Sequence, residues 1–384
     1  MVDPLVKRVG IVGGGQLGKM MILEGKRLGL YFVILDPTEN CPGSSICDEH
    51  IIKPFNDRAA YIELSNKVDV VTYEFEHIDS TILQELVTMG NNVYPSPHSL
   101  EIIQDKSTQK KLIVKNNIDT PDFIVVDGVT SIKKAGLKFG YPLMLKATTG
   151  GYDGKGNARV NSEEDVDIAY KSLGSGSVTL MAERFCPFEK EISVLACRDI
   201  NGNISIYPVA ENKHVNSILD ETIVPATISK ESESKAMEMA HSVMELFSDV
   251  GMFCTEMFVT KSGDVLFNEV APRPHNSGHY TIEGCFTSQY EAHIRAIVGL
   301  PVGDVSLRSP SVMRNILGSG KAGKTMVIGE SQILKDPFVK LHIYGKEYSK
   351  VNRKMGHITA IGKNIEDAQF RAATAFNNIK IVGV

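Results

Sequence analysis

The stretch whose reading decides the fold is Lys146-Ala-Thr-Thr-Gly-Gly-Tyr-Asp-Gly-Lys-Gly-Asn157. A lysine closes the apolar run at residues 142–147, and Gly150, Gly151, Gly154 and Gly156 follow at once. Glycine tolerates positive φ and lets backbone N–H groups close on anionic oxygens, while Lys146 and Lys155 supply charge. A phosphate-covering loop is expected. The same composition also fits a flexible hairpin with incidental lysines, so the flanking sequence has to choose between them.

Toward the C-terminus of that stretch, long strands are expected at 191–198, 204–211, 252–260 and 265–270, with a helix near 231–247. Glu256 and Glu269 lie on two of these strands, joined by the turn Lys261-Ser-Gly263. In a hairpin with that turn the two carboxylates can come close to facing each other on one side of the sheet. Facing buried carboxylates repel unless a cation lies between them, and Mg²⁺, or Mn²⁺, bound also by phosphate oxygens is the natural choice. Asn268 reaches the same face only if the strand carries a bulge. Arg273-Pro-His-Asn-Ser277 follows directly and delivers a cation, an imidazole and an amide (Arg273, His275, Asn276) beside the metal strands.

Toward the N-terminus, residues 123–126, 142–147, 158–160 and 178–184 read as strands around two helices, one opened by the capping box Ser162-Glu-Glu-Asp165. Before them, 1–104 alternates strand and helix as a parallel two-sided sheet does. Its first turn, Gly13-Gly-Gly-Gln-Leu-Gly18, with Asp36 further on, fits a dinucleotide fingerprint, so an NAD-dependent dehydrogenase is a competing expectation. After residue 306 come strands at 312–316, 341–344 and 357–361 and a helix at 365–378, expected to cap the larger lobes.

Composition sets outer limits. A chain of 384 residues exceeds one small core, and 42% hydrophobic with 23% charged residues is ordinary for a globular enzyme. The net charge of -5 argues against a nucleic-acid partner. Six scattered cysteines form no Cys-x-x-Cys pair and are expected to be reduced thiols in a cytoplasm. No run of about 18 apolar residues occurs, and Met1-Val-Asp-Pro lacks a basic-then-apolar pattern, so neither membrane insertion nor targeting is expected.

The order of Lys106, Lys146, the Gly loop, the segment Glu183-Arg-Phe-Cys186, Glu191 and the paired glutamates resembles the ATP-grasp ligases over roughly residues 105–300. More narrowly, Gly150-Gly-Tyr-Asp-Gly-Lys-Gly156, Asn268-Glu-Val-Ala-Pro-Arg-Pro-His-Asn-Ser-Gly-His279 and Gly14-Gly-Gln-Leu-Gly18 are similar to the 5-(carboxyamino)imidazole ribonucleotide synthetases of purine biosynthesis, nearly end to end. The resemblance implies an α/β and α+β protein. It would have a Rossmann-like substrate domain at 1–104, an ATP-grasp domain at 105–306 with lobes meeting near residue 187, and a small β-rich module at 307–384.

It also implies site roles. Lys106 and Lys146 would bind ATP phosphates under a lid of Gly151, Tyr152, Asp153, Gly154, Lys155, Gly156 and Asn157. Glu183, Arg184, Phe185 and Cys186 would meet the adenine through the backbone, Glu191 would hold the ribose, and His214, Asn268 and Glu269 would complete the site. Arg273, His275 and Asn276 would receive bicarbonate. Gln16, Leu17, Glu74, Tyr152 and Asp153 would contact 5-aminoimidazole ribonucleotide. Lys346 and Arg353, which by themselves read as solvated charges, would bind its phosphate. The implied assembly is a cytoplasmic homodimer. Other ATP-grasp ligases, of the formate-dependent glycinamide ribonucleotide transformylase or biotin carboxylase type, are the near alternatives.

Overall fold

The computed structural model describes residues 7–151 and 156–384. Its first sheet is built from the strands Arg8–Val12, Tyr31–Leu35, Glu49–Ile51, Val70–Tyr73 and Asn92–Val93, all parallel, with Arg8–Val12 at the centre. Near-continuous apolar strands such as Tyr31–Leu35 are what a sheet covered on both faces requires. On one face Tyr61, Leu64, Leu83 and Leu86 pack from the helices Arg58–Asn66 and Ser80–Thr88. On the other, Leu17, Met20 and Met21 of the helix Gln16–Arg27 meet Tyr290, Ile294 and Ile297 of the distant helix Gln289–Ile297. Leu28, which caps the C-terminus of that first helix, is 42% exposed.

The small lobe is a four-stranded antiparallel sheet in the order Phe123–Val126, Leu180–Arg184, Leu143–Ala147, Asn157–Val160. Ser162 does not cap by its side chain. A single 3-10 turn, Glu163–Asp165, intervenes before the helix Val166–Ser172, and Asp165 instead accepts from the Asn161 backbone at 3.1 Å.

The large lobe differs from expectation in two ways. The strand foreseen at 204–211 is broken into Ile204–Ile206 and Ala210–Val215, since Pro208 has no N–H to give to a ladder. A further strand, Ile218–Val224, carries the sheet onward into Ser311–Ile328, so the C-terminal residues extend one 11-stranded sheet rather than merely covering it. The terminal strand Lys380–Gly383, also unforeseen, pairs with Ser311–Ile328. No described helix is long and apolar enough to cross a membrane.

Candidate active site

The hairpin of Gly251–Thr260 and Val265–Ala271 places Glu256 directly opposite Glu269. The register shifts just beyond that pair, so that Met257 faces Phe267 and Asn268 is the extra residue. This bulge is the one the sequence required. It lets the Asn268 side-chain oxygen Oδ1 accept from Lys146 Nζ at 3.2 Å.

Electrostatics around the hairpin are strongly asymmetric. Lys106, at the start of the helix Lys106–Lys115, pairs with Glu269 and, with burial opposing, holds that carboxyl at about 2. Burial and the charge of Glu269 push Glu256 up to about 7. A carboxylate so destabilised is a place where a cation would be welcome. His275 Nε2 lies 3.5 Å from Glu256, and burial, reinforced by Arg273, lowers His275 to about 3, so its ring is neutral.

Arg273 is not free in the cleft. Its Nη2 donates to Glu76 Oε1 at 2.9 Å, its Nε to the other Glu76 oxygen, and its Nη1 to the Pro274 carbonyl at 3.0 Å. Among the described residues these contacts engage three of the five guanidinium N–H groups and leave two for a ligand. Asn276 is 8% exposed, yet neither atom of its amide has a hydrogen-bond partner among the described residues. A buried amide in that state fits a ligand contact.

Two adjoining clefts meet at this point. The smaller, of ≈ 260 Å³, is lined by Lys146, Asn157, Glu183, Phe185, Cys186, Glu191 and Asn268. The larger, of ≈ 450 Å³, carries Gln16, Leu17, Glu74, Lys106, Gly151, Glu269, Arg273, His275 and Asn276. His214 and Glu256 line both. His214 Nδ1 pairs with Glu191, which outweighs burial and raises the imidazole above its ordinary value.

Other expected residues make side-chain contacts within the protein. The Arg184 side chain turns away to Asp122 at 3.1 Å and to the Phe139 carbonyl at 3.2 Å, which leaves only its backbone for a nucleotide. Lys346 Nζ donates to the Lys354 carbonyl at 2.6 Å and Arg353 Nη1 to the Tyr348 carbonyl at 2.5 Å; neither is among the described residues lining these two clefts, whereas Lys354 lines the larger. Tyr152, Asp153, Gly154 and Lys155 lie outside the described residues, while Gly156 adjoins Gly151 at the base of the loop. Glu76, Lys110 and Lys354 were missed by sequence reasoning. Of these, Lys354 alone carried a signal, being adjacent to Arg353.

The glycine fingerprint does not form a dinucleotide site. Glu74, 8% exposed and raised by burial, accepts from the amides of Gly15 at 2.5 Å and Gly18 at 2.8 Å, and Asp36 accepts from Gly14 at 2.9 Å. The protein's own carboxylates thus take the N–H groups that a pyrophosphate would need. A Cβ at Gly18 would also lie 2.7 Å from the Gly13 carbonyl, so the close turn itself explains that glycine.

Comparison with known proteins agrees with this geometry. Models of the ribonucleotide synthetase preATP-grasp domain, the ATP-grasp domain and the phosphoribosylaminoimidazole carboxylase C-terminal domain match residues 6–104, 111–290 and 311–371. The chain is 40% identical over 367 residues to the N5-carboxyaminoimidazole ribonucleotide synthase of Bacillus subtilis, covering 95% of this chain and 94% of that one. The structure of the Thermotoga maritima N5-carboxyaminoimidazole ribonucleotide synthetase has a TM-score of 0.89 at 42% identity, covering 98% and 100% of the two chains. The synthase of Aspergillus clavatus, solved with ADP and 5-aminoimidazole ribonucleotide, has a TM-score of 0.89 at 33% identity, covering 97% and 98%. With an ATP-grasp core, synthase relatives matched along nearly its whole length and a charged cleft opening onto the first sheet, the chain belongs to the N5-carboxyaminoimidazole ribonucleotide synthase family of ATP-dependent ligases.

Proposed function

We propose that this protein uses ATP to join bicarbonate to the exocyclic amine of 5-aminoimidazole ribonucleotide, releasing ADP and phosphate in purine biosynthesis. The observation that carries the reading is the junction of two clefts at Glu256 and His214. One cleft has the lysine, amide and carboxylate set of a nucleotide site, and the other runs to the N-terminus of the helix Gln16–Arg27. A group leaving the first at its carboxylate end is delivered to the second.

In this reading ATP occupies the smaller cleft, with Lys146 and Asn268 toward its phosphates and Glu191 and His214 toward its ribose. Bicarbonate occupies the larger one, held by the two uncommitted N–H groups of Arg273 and by the Asn276 amide. A bicarbonate oxygen attacks the γ-phosphorus and ADP leaves, forming carboxyphosphate. The amine nitrogen then bonds to the carboxyl carbon, the carbon–oxygen bond to phosphate breaks, and the amine gives up a proton. Neutral His275 orients rather than adding charge, and Arg273 offsets the negative charge that develops. Glu256 and Glu269 would hold Mg²⁺, or Mn²⁺, which neutralises the triphosphate. Lys106 pairs with Glu269 and lines the larger cleft, so its ammonium would serve the phosphate oxygens beside a cation held there.

Tyr152 and Asp153 complete the acceptor side in the proposed arrangement, and a cytoplasmic homodimer is the proposed assembly, testable by light scattering. The central experiment measures ADP release. It should require both 5-aminoimidazole ribonucleotide and bicarbonate. Equal release with glycinamide ribonucleotide and formate would overturn the assignment.

A further inference from the structure

We propose that Lys110, which is not among the described residues lining either of these two clefts, is a positioning residue that sets the charge Lys146 presents to the nucleotide's phosphates by sharing Glu183 with it. The proposal rests on the reading of Lys146 as a phosphate ligand. Lys110 lies on the helix Lys106–Lys115, is 1% exposed, and its Nζ stands 2.5 Å from Glu183 Oε2. The other oxygen of Glu183 accepts from Lys146 Nζ at 2.9 Å. Lys146 and Glu183 line the nucleotide cleft; Lys110 stands behind them.

One carboxylate thus serves two ammonium groups. With Lys146 alone, Glu183 would form a neutral pair and compete with the phosphates for that ammonium. Lys110 takes up one carboxylate oxygen, so the triad keeps one net positive charge, and its exposed end is Lys146. Burying a third charged group is costly, and an apolar side chain of similar volume commonly gives a more stable core. Packing therefore does not account for a lysine here, whereas the charge it leaves on Lys146 does.

A second contact fixes the geometry. Lys110 Nζ also donates to Thr120 Oγ1 at 2.8 Å, and Thr120 donates to the Phe267 carbonyl at 2.8 Å. Phe267 precedes Asn268, the other residue that holds Lys146. The same ammonium therefore aligns the strand carrying Glu183 with the hairpin carrying Asn268.

Lys110 also has a titration of its own. Burial lowers its ammonium to about 8 against the pull of Glu183, with Lys146 and Lys106 lowering it further. The charged and titratable groups around it are Glu183 on Leu180–Arg184, Lys146 on Leu143–Ala147, Lys106 on its own helix, and Cys186, whose thiol burial raises. Because the Lys110 ammonium is brought to about 8, loss of its charge falls within a measurable pH range.

The test is calorimetric titration of the full-length protein with ADP and Mg²⁺ at pH 7 and pH 9.5, using wild type, Lys110→Met, Lys110→Arg and Lys146→Met. Lys110→Met should bind ADP about tenfold more weakly than wild type at pH 7. The gap should close at pH 9.5, where wild type has lost the same charge. Lys110→Arg, which stays protonated, should show no such fall with pH. If Lys110→Met matches wild type at pH 7 while Lys146→Met is weakened, Lys110 serves packing alone and the proposal is overturned. If Lys146→Met itself binds ADP normally, the nucleotide-site reading fails and takes the proposal with it. Should Lys110→Met not fold, the wild-type pH series decides: a fall of about tenfold across pH 8 supports the proposal and a flat profile overturns it.

Discussion

Glu76→Gln keeps the shape of the side chain and removes its charge, so it isolates the ion pair that holds Arg273. The two side chains are 23% and 14% exposed. Burial by itself would raise the Glu76 carboxyl, but Arg273 outweighs it and brings the group from 4.5 down to about 2. A shift of that size, at about 1.4 kcal/mol per unit, corresponds to roughly 3 kcal/mol of folding stability at neutral pH. Because the folded value is depressed, the contribution is complete above about pH 4.5 and is lost as pH falls toward 2. Urea unfolding should therefore put the variant roughly 3 kcal/mol below wild type at pH 7 and about 2 kcal/mol below at pH 3.5. The same variant should raise the KM for bicarbonate by about tenfold or more, because the Arg273 fork loses its anchor. ADP affinity should be unchanged, since Glu76 does not line the nucleotide cleft. Equal stability at pH 7, or a loss that does not shrink with acid, would refute the pairing argument; weakened ADP binding with normal bicarbonate dependence would refute the assignment of Arg273.

Two further outcomes follow from buried groups. His293 is fully buried, shares a hydrogen bond with Thr72 Oγ1 at 2.9 Å and accepts from the Met252 amide at 3.1 Å, and burial lowers it to about 3. The unfolded chain takes up that proton below about pH 6.5 and the folded one does not, so stability should be complete above that pH and fall by up to about 1.4 kcal/mol per unit of acidification. His293→Asn should flatten the slope of urea midpoint against pH between 6.5 and 5, and an unchanged slope would exclude His293 as its source. Lys106→Met removes the ammonium paired with Glu269, which faces Glu256. The pair is partly solvated, so the ligand-free protein should lose about 1–2 kcal/mol, and ADP with Mg²⁺ should recover most of it in thermal melts; a deficit unaffected by Mg²⁺ would count against a cation at these carboxylates.

The physical content of the sequence was unequal along its length. Glu256 and Glu269 were legible because a three-residue turn fixes hairpin register, and Lys146 because it ends a strand before a glycine run. The bulge at Asn268 could be named as a requirement but not located, since it depends on how two strands accommodate the carboxylate pair. The parallel first sheet was legible from alternating apolar runs, whereas the dinucleotide reading of its glycines was not excluded until Glu74 appeared on their amides. Lys346 and Arg353 were singled out by resemblance, yet their side chains are engaged by carbonyls in their own module while Lys354 lines the cleft.

By itself, then, the sequence determined the strand and helix periods, the glycine loop and the hairpin carboxylates, because each is set by residues within a few positions of one another. Tertiary structure alone decided that Glu76 grips Arg273 from 197 residues away, that Glu183 is shared by Lys110 and Lys146, and that one helix of the ATP-grasp core covers the first sheet. Such pairings arise when separate layers are packed together, and the energy that selects them is the cost of leaving a buried charge or an apolar face without a partner.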